Sequence, residues 1–138
     1  MAKHHNSGMF LYWTVVELRQ VTDGTSKTFA FGEIIDGHTR DSSNMWTNVL
    51  RFADSYRVTE VALNTPTGVE AKVVGSNPAK VNGAFASNHP GGAQFTYVDG
   101  HVEFITDSID LDLYQNLSTI AGSPLERDRV DQEFCDKF

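Results

Sequence analysis

Gly83-Ala-Phe-Ala-Ser-Asn-His-Pro-Gly-Gly-Ala-Gln-Phe-Thr-Tyr-Val-Asp-Gly-His-Val-Glu-Phe-Ile-Thr-Asp-Ser-Ile109 combines strong strand signals with sharply placed turn chemistry. It reads as three short strands in a meander. Phe85 lies in the first strand. Asn88-His89-Pro90-Gly91-Gly92 then breaks the chain, because proline fixes φ and biases His89 to extended geometry while two glycines permit positive φ. From Ala93 to Val98 the residues alternate, with Ala93, Phe95 and Tyr97 on one face and Gln94, Thr96 and Val98 on the other. Asp99-Gly100 suits a two-residue type I′ hairpin. His101 to Ile105 returns, with Val102 and Phe104 opposite His101, Glu103 and Ile105.

Upstream, Thr22-Asp23-Gly24-Thr25-Ser26 is a dense turn signal, with Asp23 placed to accept from backbone donors two residues on and Gly24 free to take positive φ. Lys27 to Ile35 alternates weakly, but Thr28, Phe29, Phe31, Ile34 and Ile35 favour a strand. Glu33 at its end must face solvent or find hydrogen-bond partners, since an unpaired buried charge is costly. A structural Glu33, tied to the Asp23-Gly24 loop or to a neighbouring strand, is favoured over a catalytic one.

These two regions carry a resemblance. His89, nine intervening residues and Asp99-Gly100 resemble the His-X9-Asp-Gly signature of a prepilin-like family of unknown function, abundant in planctomycetes and lentisphaerae. The run from Leu18 to Glu33, through Asp23-Gly24-Thr25-Ser26 to Gly32-Glu33, is similar to that family's other hallmark, with Lys27 in place of its usual Asn. The resemblance does not extend to Asp36–Val81. It implies a pilin-like globular head without its N-terminal helix. It also implies a role in the cell envelope or outside the cell, other pilin-like subunits or secretion components as partners, and an apolar membrane helix in the full-length protein. On that basis the fold expected is α+β, an antiparallel sheet with one or two packed helices. The organisation expected is an arm over 1–8, one head domain over 9–122 and a charged extension over 123–138.

Composition agrees with one domain: 138 residues, 40% apolar and 21% charged, are enough for an adequate core. A net charge of −7 with eleven scattered Lys and Arg argues against nucleic acid as a partner. The single cysteine, Cys135, excludes an intrachain disulfide, and the carboxylates around it disfavour a thiolate. No apolar run approaches the roughly 18 to 20 residues a membrane-spanning helix needs, and Met1 to Gly8 lacks the apolar core of a secretory signal.

Outside the central stretch, Met9 to about Val16 reads as a buried strand, with Val16–Val21 as an alternative helical turn that points Leu18 and Val21 inward. Asp36–Asn48 reads as a loop, and Met45–Phe52 as a helix capped by Asn44. Val58–Leu63 reads as a strand and Val69–Val74 as an edge strand. Leu111 to Gly122 reads as an amphipathic helix capped by Asp110, with Leu113, Tyr114, Leu117 and Ile120 inward and a stop at Gly122 before Pro124.

For chemistry, His89, Asp99 and Glu33 could form an acid/base or metal site, but nine residues of strand place His89 and Asp99 roughly 20 Å or more apart. The local reading is favoured: His89 with Pro90, Gly91 and Gly92 fastens a turn, and Asp99-Gly100 makes the hairpin. Calcium is the metal the sequence best suits, through Asp107, Asp110 and Asp112, yet no loop has the usual ligand spacing and Asp110-Leu-Asp112 reads better as a helix start. One cysteine and no close His pair beyond His4 and His5 argue against zinc. No phosphate-cradling or nucleophile-elbow motif is present. The expectation is a non-enzymatic head domain without a cofactor. The alternative is an extracellular, glycan-binding module using Tyr12, Trp13, Trp46, Tyr56 and Tyr97.

Overall fold

The structure, a computed structural model, describes residues 8–10, 15–35, 57–66 and 83–121. Three strands form one antiparallel sheet in the order β1-β2-β3: β1 (Phe29–Gly32), β2 (Gly92–Tyr97) and β3 (Val102–Thr106). Among the described residues a short helix, α1 (Leu111–Asn116), follows, and a 3-10 turn (Leu18–Gln20) precedes β1. The described part is therefore α+β with an antiparallel sheet.

The alternation read in β2 is realised. Ala93, Phe95 and Tyr97 are buried and Gln94 is exposed, while Ile105 of β3, opposite Ala93, completes the inner face. Against that face pack Phe29, Leu63 and Tyr114, with half-buried Phe85, Ile109 and Leu117 around them. Phe95 lies at the centre, stacked on Phe29 at 4.4 Å and met edge-on by Phe85 at 5.1 Å and Tyr114 at 5.9 Å. Such offset and edge geometries are the favoured ones between aromatic quadrupoles.

The weak alternation of 27–35 has a physical cause. Phe29 pairs with Tyr97, but Phe31 pairs with Thr96, so one extra residue bulges between them. A bulge reverses facing beyond it. Phe29 points into the core, Phe31 points out and is 63% exposed, and Gly32 comes to lie inward opposite Phe95. There a Cβ would meet the Phe95 and Phe85 rings, so only glycine fits without a shift.

Several expectations are corrected. The first strand of the expected meander, around Phe85, is not a strand. Ala84 makes only an isolated parallel bridge to Val58, and the third strand of the sheet is β1, from far earlier in the chain. The Asp99-Gly100 turn is not type I′. Only Gly100 has positive φ, at +92°, and the loop holds three residues, with the Gly100 N–H donating to Tyr97 O and the Tyr97 N–H to His101 O. That is a turn followed by a left-handed glycine, the three-residue hairpin solution. Val58–Leu63 bends instead of running as a strand: the Val58 N–H donates to Gly83 O and, just past the segment, the Asn64 N–H to Phe85 O, while Thr59 Oγ1 and Ser118 Oγ, 2.6 Å apart, hold it from the side.

At the N-terminal end, the described parts of the expected strand, Met9–Phe10 and Val15–Val16, are not in a strand, and Val15 is 85% exposed. The outer edge of β1 is already taken, since the Phe29 N–H donates to Leu117 O and Glu33 O accepts from Ala86 N. The helical turn does form at Leu18–Gln20, with Val21 buried but Leu18 exposed.

Asp110 caps α1 by accepting from the Leu113 N–H at 3.0 Å, but the helix stops at Asn116, well before Gly122. The Ser118 and Thr119 hydroxyls bond the carbonyls of Gln115 and Asn116, and the Leu117 and Ile120 carbonyls accept from Phe29 and Thr22. Those bonds tie the segment to the strand side and end the helix. Tyr114 and Ile120 are buried, whereas Leu113, expected inward, is exposed. The expectations for residues 1–7, 11–14, 36–56, 67–82 and 122–138 lie outside the described residues.

Candidate functional site

His89 and Asp99 are ten positions apart, and so are Asp23 and Glu33. Because β1 and β2 run antiparallel, these two equal spans lie side by side, so that Glu33 meets His89 at one end and Asp99 meets the turn after Asp23, at Thr25, at the other.

At one end Glu33 makes four contacts, to three residues. Its N–H donates to Gln94 O at 3.2 Å, and its Oε2 accepts from the Gln94 N–H at 2.7 Å. The carboxylate thereby takes the ladder position of its own backbone carbonyl, and that carbonyl is free to accept from Ala86 N at 3.1 Å. Its other oxygen, Oε1, lies 3.2 Å from His89 Nε2, an ion pair when the imidazole is protonated. His89 is held in turn: its N–H donates to Ser87 Oγ, which donates to Gly92 O, while the Ser87 N–H donates to Asn64 Oδ1. Pro90 is exposed, and Gly91 turns the chain at φ +79°. Gly92 is required by a close approach, because a Cβ there would collide with Ile105 O and the Phe104 ring.

At the other end the Asp99 N–H donates to Thr25 O and the Val98 N–H to Thr28 O. The turn that receives them is closed by backbone bonds, Gly24 N to Val21 O and Lys27 N to Gly24 O, with Gly24 at φ +100° and Ser26 exposed. Asp23 does not serve as the expected backbone acceptor; its Oδ2 is buried without a partner among the described residues. The buried Thr28 hydroxyl lies within bonding distance of Gly24 O and Thr119 O and docks the turn on the segment after α1.

Asp99 Oδ1 accepts from His101 N at 3.1 Å and lies 2.6 Å from His101 Nδ1. The backbone N–H of His101 first, and its ring second, hold the Asp99 carboxyl below the usual aspartate range. The His101 ring stacks on Tyr97 with centroids 4.1 Å apart, and the Tyr97 hydroxyl donates to Glu103 Oε2 at 2.9 Å. Desolvation, then the Glu103 carboxylate, push the Tyr97 phenol up to about 12.

The motif residues therefore meet as two pairs of ends. His89 joins Glu33, and Asp99 joins the turn at Thr25, but His89 and Asp99 lie at opposite ends of β2. Ser87, Thr28, Gln94, His101 and Glu103 complete the clasps and were not singled out in the sequence as site residues, and Tyr97, singled out for sugar stacking, serves a clasp instead. Only His101, two positions from Asp99, carried a local signal. Of the calcium candidates, Asp110 is spent on the helix cap, Asp112 sits in the first turn, and the Asp107 N–H bonds Gly91 O. Among the described residues no group of three or more His, Cys, Asp or Glu is placed to hold a metal ion. Tyr97 is buried, which removes it from a sugar-stacking surface, and Tyr12, Trp13, Trp46 and Tyr56 lie outside the described residues. No described helix is long and apolar enough to cross a membrane.

These features define a small α+β domain in which two motif-bearing strands are clasped at both ends. The model of the family described as "Protein of unknown function (DUF1559)" matches residues 1–112, and the chain belongs to that family. No curated protein and no solved structure matches it.

Proposed function

We propose that this domain is the non-enzymatic globular head of a pilin-like or pseudopilin-like protein, with a structural or interaction role at the cell surface or in a type II secretion-like apparatus. The observation that supports this reading is how the motif side chains are used. Glu33 bonds the neighbouring strand and His89, and Asp99 bonds its own hairpin, so the polar groups of the two motifs hold strands together and do not converge on one reaction centre. In such an architecture an apolar helix in the full-length protein anchors and packs the filament, and the head presents a surface to partners. No metal or organic cofactor is needed for that role.

The test is the reading frame upstream of Met1. An apolar helix of about 20 residues behind a prepilin-type cleavage site supports the head-domain reading. The 138-residue chain alone is expected to stay monodisperse, and its assembly into ordered filaments without such a helix would count against the proposal.

A further inference from the structure

Among the described residues the sheet ends on β3, and the pairing register decides which of its backbone groups are free of a described partner. His101, Glu103, Ile105 and Asp107 face Tyr97, Phe95, Ala93 and Gly91, and the flanking bonds, Tyr97 N–H to His101 O and Asp107 N–H to Gly91 O, show that these odd positions bond inward. Val102, Phe104 and Thr106 therefore direct their N–H groups to the open edge, as do the carbonyls of Val102 and Phe104; Thr106 O accepts from Ile109 N.

This edge lacks the usual protection. β3 is Val-Glu-Phe-Ile-Thr, paired without a bulge, with no Pro or Lys, and the carboxylate of its one charged residue, Glu103, is engaged by the Tyr97 hydroxyl. Its outward side chains, Val102 and Phe104, are 57% and 45% exposed. Val102 also borders a shallow groove on the outer sheet face, floored by Phe31, Gly32 and Thr96. Backbone donors and acceptors along one line, with apolar side chains beside them, suit an added strand better than a helix.

Charge selects the occupant. From Asp99 to Asp112 the chain carries Asp99, Glu103, Asp107, Asp110 and Asp112 and no Lys or Arg. A second copy pairing β3 to β3 would bring two such rims together, and like charges across an interface discriminate against that partner.

We infer that the free edge of β3 receives, as a fourth strand, an extended segment of a partner protein that alternates apolar side chains with Lys or Arg. The inference deepens the interaction role proposed above and rests on it only for the existence of a protein partner. Its test reads the edge itself, whereas filament assembly reads the head-domain proposal, so the two fail separately.

The probe is a synthetic peptide alternating Lys and Val, added to the whole chain, beside a version with Pro at the edge-facing positions and a version with Glu for Lys. The Lys-Val peptide should slow amide exchange at Val102, Phe104 and Thr106 by about tenfold or more, and the Pro and Glu versions should bind at least about tenfold more weakly. Val102→Lys should weaken binding of the Lys-Val peptide by a similar factor through charge repulsion at the edge. Equal binding of the Pro version would mean simple attraction to a chain of charge −7 and overturns the inference. So would absence of protection at those three amides, or protection that rises with protein concentration alone, which would assign the edge to a second copy.

Discussion

Replacing Gly32 by alanine tests the bulge, the inward turn of β1 and the centre of the core at once. A Cβ at position 32 would lie 2.5 Å from Phe95 Cε1, 2.8 Å from Phe95 Cδ1 and 2.7 Å from Phe85 Cδ1. Carbon atoms settle at about 3.5–4.0 Å, so the overlap is about 1 Å. Phe95 has no room to retreat, being fully buried between Phe29, Phe85 and Tyr114. Phe85 is only half-buried and can swing outward at the expense of its edge contact. Overpacking of this kind costs about 1–3 kcal/mol, and the loss of glycine's freedom in the unfolded chain returns about 0.4–1 kcal/mol. Gly32→Ala should therefore destabilise the domain by about 1–2 kcal/mol, read as a lower urea midpoint at unchanged slope. Phe85→Ala should cost about 1 kcal/mol less in the Gly32→Ala background than alone, because it relieves the clash. A Gly32→Ala protein as stable as the parent, or more so, would refute the reasoning: the position would then face solvent and β1 would carry no bulge.

Glu33→Gln keeps an acceptor for the Gln94 N–H and gives up only the half-exposed pair with His89, so it should cost no more than about 1 kcal/mol in urea denaturation. Glu33→Ala strands that N–H and should cost about 1–2 kcal/mol, and equal losses for the two variants would argue against the ladder role of the carboxylate. The Tyr97 phenol, with its folded-state pKa raised from 10.0 to about 12, contributes stability that is fully present below pH 10.0 and is lost as pH rises through about 12. Ultraviolet titration should show Tyr97 ionising after an ordinary tyrosine, and Glu103→Gln should bring it earlier. Asp110→Ala removes the α1 cap and should cost about 1 kcal/mol, checked by the thermal midpoint against a conservative Asp110→Asn, which retains an acceptor.

Local signals placed the β2–β3 hairpin and the cap at Asp110. Strict alternation over Ala93–Tyr97 is a property of neighbours along the chain, and so is a left-handed glycine after aspartate. Both survive in the structure, with the turn one residue longer than expected. The cap likewise depends only on an acceptor three positions before a donor. The equal ten-residue spans of the two motifs were visible as numbers, but nothing in them said that one strand would lie against the other.

Tertiary structure decided the rest, because the deciding contacts join residues far apart in sequence. Ala84–Ala86 and Phe29–Gly32 were both available to stand beside β2, and the choice went to β1, whose Phe29 fills the face below Phe95 and whose next residue, Glu33, reaches His89 across 56 positions. The bulge that turns Phe31 outward and Gly32 inward is set by the space Phe95 occupies, which no local pattern encodes. Sequence alone determined which segments could be strand, turn and cap, since those preferences act between near neighbours. Packing determined which strands pair, which faces close and which edge stays open, since those depend on volumes and hydrogen-bond partners that exist only once the chain has folded.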